Sequence, residues 1–265
     1  VFATQWSAES VDLPDMKLPD NQDALIAAVA RANAKTVVVL ETNGPVRMPW
    51  LQRVPAVLQA WYPGIRGGEG IAALLTGKAN PSGRLPVTWV VDESQLPRPH
   101  VPGLGFNPKE TPVDTFDFNI EGANVGYKWA ALKGLSPTYA FGHGLSYTSF
   151  TYDNLTVNVE GQRLVASVQV RNSGARAGAD VAQLYLKLPA GSTTPIRLVG
   201  FEKVQLQPGE QRTLRIEAEP KTLASFDAQA RQWKIAPGTY QIQLGRTAAE
   251  PLQSVDVKLT GTVLR

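Results

Sequence analysis

Apolar residues follow two different rhythms along these 265 residues. Up to about residue 90 they come as helical stripes and unbroken runs. Asn21-Gln22-Asp23 can cap a helix over residues 24–33, with Leu25, Ile26 and Val29 on one face. Residues 36–40 are a continuous, β-branched apolar run, as expected of a strand covered on both faces. A weak helix is expected over 51–58, interrupted by Pro55. A strand start at 57–62, a helix at 70–75 and a strand at 85–89 follow. Val1-Phe2-Ala3 reads as the last steps of a buried strand. Such alternation predicts an open, mostly parallel sheet with flanking helices, and the apolar opening predicts that this domain is incomplete at its N-terminus.

From about Phe150 the period becomes two. Strands are expected over 155–159, 164–170, 180–186, 211–218 and 239–244. The turns between them are Glu160-Gly161, Asn172-Ser173-Gly174, Pro208-Gly209 and Pro237-Gly238. Short strands with this punctuation predict an all-β sandwich of immunoglobulin or fibronectin kind. The absence of Cys removes an antibody-style disulfide and favours the fibronectin type III-like variety. Residues 92–125 have no period of their own and are broken by Pro97, Pro99, Pro102, Pro108 and Pro112, so they read as a linker or a functional loop. The expected organisation is an α/β open-sheet sandwich domain over 1–130, including that Pro-rich stretch, followed by the fibronectin type III-like sandwich over 131–265.

Composition narrows the chemistry. An apolar share of 43% gives either domain a core, and no run of eighteen apolar residues suggests a membrane span. With no Cys, thiol catalysis and Cys-based zinc sites are excluded. The two His, His100 and His143, are too far apart in sequence to suggest a His-rich metal site. Net charge is +3 with Lys and Arg scattered, and no basic stripe interleaved with aromatics points to nucleic acid.

Among individual residues Glu9 stands out, in the small polar loop Ser7-Ala8-Glu9-Ser10, with Asp12 and Asp15 close behind it. A carboxyl group leaving the end of an α/β strand sits where open sheets place their ligand crevices; the alternative is a solvated loop residue. Trp6 is either a stacking platform for the apolar face of a sugar or a core residue at a strand end. Asp12 and Asp15 are either a second carboxylate or hydrogen-bonding loop residues. Residues 64–70 are glycine-rich but lack both the Gly-Lys-Ser/Thr of a P-loop and the Gly-x-Gly-x-x-Gly spacing, so a tight strand-to-helix turn is expected. His143 lies near Ser146 without a Gly-x-Ser-x-Gly elbow, which makes it a packed turn residue.

Dispersed segments, in order, resemble the C-terminal portion of glycoside hydrolase family 3, the family of many bacterial β-glucosidases. They are Gly44-Pro45-Val46 with Trp50-Leu51; Ala60-Trp61-Tyr62-Pro63-Gly64 with Gly67-Gly68 and Ile71-Ala72; Asn80-Pro81-Ser82-Gly83-Arg84-Leu85-Pro86-Val87-Thr88; Val125-Gly126-Tyr127-Lys128-Trp129; and Phe141-Gly142-His143-Gly144-Leu145-Ser146-Tyr147. Val181-Ala182-Gln183-Leu184-Tyr185, Leu198-Val199-Gly200-Phe201 and Pro208-Gly209-Glu210 continue the likeness.

The resemblance implies that this chain is the downstream part of a retaining, exo-acting β-glucosidase and is inactive alone. An N-terminal (β/α)8-type barrel of the same protein would hold the nucleophilic Asp. Glu9 would be the general acid/base, with Trp6 and Asp12 as substrate-binding neighbours and no metal or organic cofactor. It further implies a β-glucoside or oligosaccharide substrate, with β-xylosides and β-N-acetylglucosaminides as alternatives, and a periplasmic or secreted location. A stand-alone carbohydrate-binding or docking module is the other reading. Separately, the Pro-rich stretch would cover the substrate entrance, contact a second copy in a homodimer, or simply link.

Overall fold

The structure, a computed structural model, describes residues 1–8, 13–99, 117, 119–189 and 192–264. Glu9 and Asp12 lie outside the described residues, as do His100 and most of the Pro-rich stretch. Packing divides the chain into two units. One takes Val1–Ala79, Thr88–Gly122 and Ser136–Tyr139; the other takes Asn80–Val87, Ala123–Leu135 and Ala140–Arg265.

The first unit is built on three parallel strands in the order β1 (Phe2–Thr4), β2 (Val37–Glu41) and β3 (Ala56–Gln59). The central β2 is the continuous apolar run, and its Val38, Val39 and Leu40 are all buried, as in a strand covered on both faces. In β1 only Ala3 is buried, while Phe2 is exposed, so the opening residues form a strand but not a fully buried one.

Helix α1 (Gln22–Ala32) joins β1 to β2 and buries Ile26 and Ala30, four residues apart. Leu25, expected on that face, falls off the stripe and is exposed. Asn21 stands at the N-cap in the left-handed region without a side-chain cap bond. Gln22 and Asp23 turn outward instead. Gln22 brackets Thr4 through both backbone groups, at 2.8 and 2.9 Å, and Asp23 accepts from the indole of buried Trp50 at 2.7 Å.

The helix expected over 51–58 does not form. A 3-10 turn covers Leu51–Arg53 and β3 starts at Ala56, because Pro55 has no N–H to give a helix. Past β3 the chain turns at Trp61 and Gly64, both left-handed, into α2 (Gly67–Leu75). A Cβ on Gly67 would overlap the Pro63 ring, so this tight strand-to-helix turn needs its glycine. The strand expected over 85–89 reduces to one antiparallel bridge between Trp89 and Tyr139, since Pro86 interrupts the ladder. Trp89 is buried and donates its indole N–H to the Val46 carbonyl at 2.9 Å.

The second unit contains α3 (Tyr127–Lys133), closed by left-handed Gly134. Next come β4 (Phe150–Glu160), β5 (Arg163–Asn172), β6 (Gly178–Lys187), β7 (Ile196–Leu206) and β8 (Gln211–Ala218). The short helix α4 (Pro220–Leu223) leads to β9 (Ser225–Asp227), β10 (Gln232–Ile235), β11 (Gly238–Thr247), β12 (Glu250–Leu259) and β13 (Thr262–Leu264). Antiparallel sheets β12-β11-β6-β7 and β4-β5-β8 form a sandwich, with the small sheet β13-β10-β9 beside them. Alternate residues fill the core: Leu164, Ala166, Val168 and Val170 of β5 meet Ala182, Leu184 and Leu186 of β6 and Tyr240, Ile242 and Leu244 of β11.

Residues 80–87 are stitched into this second unit. The Asn80 carboxamide accepts from Ser146 Oγ at 2.9 Å and Tyr147 N–H at 2.8 Å, and donates to the Ala177 carbonyl at 3.0 Å. Arg84 pairs with Asp180 and donates to the Gly144 carbonyl. Asp180 also accepts the Tyr152 hydroxyl at 2.7 Å. His143 is half-buried in its turn; its carbonyl accepts from Leu85 N–H at 2.8 Å. Burial, then the nearby Arg84 charge, holds this imidazole below its ordinary pKa, against a smaller opposing pull from Glu250.

Burial pushes the Tyr152 phenol up to about 12, against the neighbouring Arg84 and Arg246 charges. A phenol whose folded pKa lies above its unfolded value contributes stability that is complete below the unfolded pKa, near 10. That stability is lost as pH rises through the folded value. The shift corresponds to about 2–3 kcal/mol. Denaturation midpoints of the chain should therefore fall between about pH 10 and 12, and Tyr152→Phe should fall less steeply over that window. An equally steep fall in Tyr152→Phe would assign the alkaline loss to other groups.

Candidate active site

The C-terminal ends of β1, β2 and β3 lie side by side, the edge at which parallel sheets receive ligands. Chain leaving β1 passes through Gln5, Trp6 and Ser7 toward Glu9. It is fixed at this edge by several independent hydrogen bonds. Gln5 N–H continues the ladder to the Glu41 carbonyl at 3.2 Å. The Gln5 side chain is 5% exposed and donates to the Lys17 carbonyl at 3.1 Å, so it ties the outgoing stem to the returning one. The Tyr62 hydroxyl comes from the turn after β3. It donates to the Gln5 carbonyl at 2.8 Å, accepts from Ser7 N–H at 3.0 Å and lies 3.3 Å from Ser7 Oγ.

The returning stem is held as firmly. Met16 N–H donates to Glu93 at 2.9 Å, and the Met16 carbonyl accepts from Arg47 N–H at 2.8 Å. The Arg47 guanidinium pairs with the same Glu93 carboxylate. Burial alone would raise Glu93, but the Met16 N–H and the Arg47 charge outweigh it and keep this carboxylate below its ordinary range. The hydrogen bond that Arg47 donates to Glu93 raises Arg47 in return. Glu93 is therefore a charged anchor of the stem and not a proton donor at neutral pH.

Trp6 is 72% exposed, which overturns the core alternative for this residue. Its indole stands in solvent at the strand ends, three positions before Glu9. Asp15 closes its own turn, accepting from Lys17 N–H at 2.8 Å and pairing with the Lys17 ammonium at 3.4 Å, so it behaves as a hydrogen-bonding loop residue. A cavity of about 330 Å³ opens beside the returning stem. Its charged liners already have partners: Lys17 with Asp15, Asp23 with Trp50, Arg47 with Glu93, and Asp92 with Ser94. The sequence pointed to Trp6 and Glu9 but not to Gln5, Tyr62 or Glu93. Tyr62 meets Ser7 across 55 residues and Glu93 meets Met16 across 77, distances that no local period reports.

Residues 1–147 match the glycosyl hydrolase family 3 C-terminal domain, and residues 180–248 match the fibronectin type III-like domain. The chain belongs to glycosyl hydrolase family 3. Its family 3 relatives include a beta-glucosidase of Rhizobium radiobacter, 38% identical over 96% of this chain and 31% of the relative. The thermostable beta-glucosidase B of Acetivibrio thermocellus is 36% identical over 98% of this chain and 34% of its own length. Among solved structures, DesR, a beta-glucosidase from Streptomyces venezuelae in complex with D-glucose, superposes with a TM-score of 0.87 at 40% identity, over 98% of this chain and 33% of that one. Beta-glucosidase 3B from Thermotoga neapolitana in complex with glucose gives 0.89 at 31% identity, over 100% and 38%. The chain thus spans about a third of the length of these family 3 relatives, and its architecture is the family's C-terminal α/β domain followed by a fibronectin type III-like domain.

Proposed function

We propose that this chain forms the C-terminal part of a retaining, exo-acting β-glucosidase and contributes its general acid/base, Glu9. The nucleophilic Asp would lie on an N-terminal barrel of the same protein. The observation that carries the reading is the likeness of almost the whole chain to proteins named beta-glucosidase, over only about a third of their length. Support comes from the strand-end edge, where Trp6 presents an exposed indole beside the Glu9 segment.

In the first step the barrel Asp attacks the anomeric carbon of a terminal β-glucosyl unit. Glu9 gives its proton to the departing glycosidic oxygen, leaving a covalent glucosyl-enzyme. In the second step Glu9, now a carboxylate, takes a proton from water as that water attacks the same carbon, releasing glucose and restoring both carboxyl groups. Trp6 would stack on the apolar face of the sugar, and Asp12 would hydrogen-bond a hydroxyl. The substrate class is β-glucosides and β-linked oligosaccharides.

Since two carboxyl groups are required, the purified chain alone should hydrolyse β-glucosides no faster than buffer, and the full-length enzyme should hydrolyse them readily. Intact-mass analysis alongside the assay would show whether any barrel polypeptide is present. Robust hydrolysis by this chain alone would contradict the division of the catalytic pair.

A further inference from the structure

We propose that Tyr62 is a positioning residue for the acid–base step, acting through the backbone stem that leads into Glu9. This inference rests on the reading of Glu9 as the acid/base.

The hydroxyl of Tyr62 uses its hydrogen-bonding capacity on one short stretch. Its single proton goes to the Gln5 carbonyl, and its lone pairs face Ser7 N–H and Ser7 Oγ. Two backbone groups on either side of Trp6 are thereby fixed from outside the strand ladder. Tyr62 is 51% exposed, so it contributes little burial, and its defined contribution is the position of residues 5–7. The preceding residue supports the same view. Trp61 adopts a left-handed backbone at φ 57°, a conformation costly for a bulky residue and tolerated where surrounding contacts over-determine it. That turn at the end of β3 brings the phenol back across the strand ends. Gln5 ties the outgoing stem to Lys17 and Glu93 holds Met16 on the return, so residues before and after Glu9 in the sequence are both tied down.

Proton donation to a leaving oxygen is sensitive to the placement of the acid, whereas departure of a group that needs no proton does not depend on where the acid sits. The test compares full-length wild type, Tyr62→Phe and Glu9→Ala, barrel included, on a β-glucoside with a poor alkyl leaving group and on an activated aryl β-glucoside. Tyr62→Phe should lower kcat on the alkyl glucoside about tenfold, change KM little and leave glucosylation of the aryl substrate within about twofold. Its melting temperature should remain close to wild type. Equal losses on both substrates, or no loss on either, would overturn the positioning role; the first would mark a purely structural residue. If Glu9→Ala discriminates between the substrates and Tyr62→Phe does not, this inference fails alone. If Glu9→Ala itself does not discriminate, the reading of Glu9 fails and the inference falls with it.

Discussion

In the full-length enzyme, Glu9→Ala should lower turnover of alkyl β-glucosides by about 10²–10⁴-fold, the usual contribution of a positioned acid–base group. The argument rests on where charge develops. An alkoxide is a poor leaving group, so bond breaking needs the proton that the proposed role assigns to Glu9. A nitrophenolate leaves without assistance, so the glucosylation step of an activated aryl glucoside should be nearly unchanged. The second step then becomes slow, because no base remains to take a proton from water, and the glucosyl-enzyme accumulates. For the aryl substrate this should appear as a burst followed by slow turnover, with a lowered KM. The acid role also requires Glu9 to enter the cycle protonated. Desolvation and a second carboxylate nearby are the two influences that would keep such a group protonated in the assembled cleft, because both disfavour its charged form. Equal, modest losses on both substrate classes would remove Glu9 from this role.

Asp180→Ala should destabilise the chain by about 3–5 kcal/mol, read as a shift in the guanidinium unfolding midpoint with unchanged slope. Arg84 and Asp180 are 18% and 7% exposed, so this is a largely buried pair. Burial already lowers Arg84, and its Nε is a buried nitrogen without a hydrogen-bond partner. Removing Asp180 would leave a buried guanidinium held mainly by the Gly144 carbonyl and would also take away the acceptor of Tyr152. Replacing the pair by Arg84→Met with Asp180→Leu should recover most of the loss, because two apolar side chains remove the uncompensated charge. A loss below about 0.5 kcal/mol for Asp180→Ala, the range of an ordinary surface change, would show that the pair does not anchor residues 80–87.

Legibility in the sequence followed burial. The run at 36–40 announced β2 because all its central side chains are covered, and the period-two stretches announced β4, β5, β6, β8 and β11 because each contributes one face to the sandwich core. β7 and β12 escaped because charged residues, Gly and Pro break their alternation. β7 carries Gly200, Glu202 and Lys203 in mid-strand, and β12 opens on Glu250-Pro251, the charged and Pro-bearing residues that edge strands tolerate. The site divided in a similar way. Glu9, Trp6 and Asp12 were nominated by the residues around them and by the family resemblance, and Glu9 and Asp12 lie outside the described residues. The core alternative for Trp6 could be removed only by its exposure. Tyr62, Gln5 and Glu93 were not legible as stem anchors, because each acts on backbone groups of a segment distant in sequence.

The most direct test of the account is the anomeric configuration of the product that Glu9→Ala forms with azide in the full-length enzyme, assayed on an activated aryl β-glucoside. Azide needs no base, so it should attack the accumulated glucosyl-enzyme from the face that water normally uses. It should restore turnover and yield β-glucosyl azide. An α-glucosyl azide would identify Glu9 as the nucleophile, and an absence of rescue together with unaltered leaving-group dependence would contradict an acid–base role for Glu9.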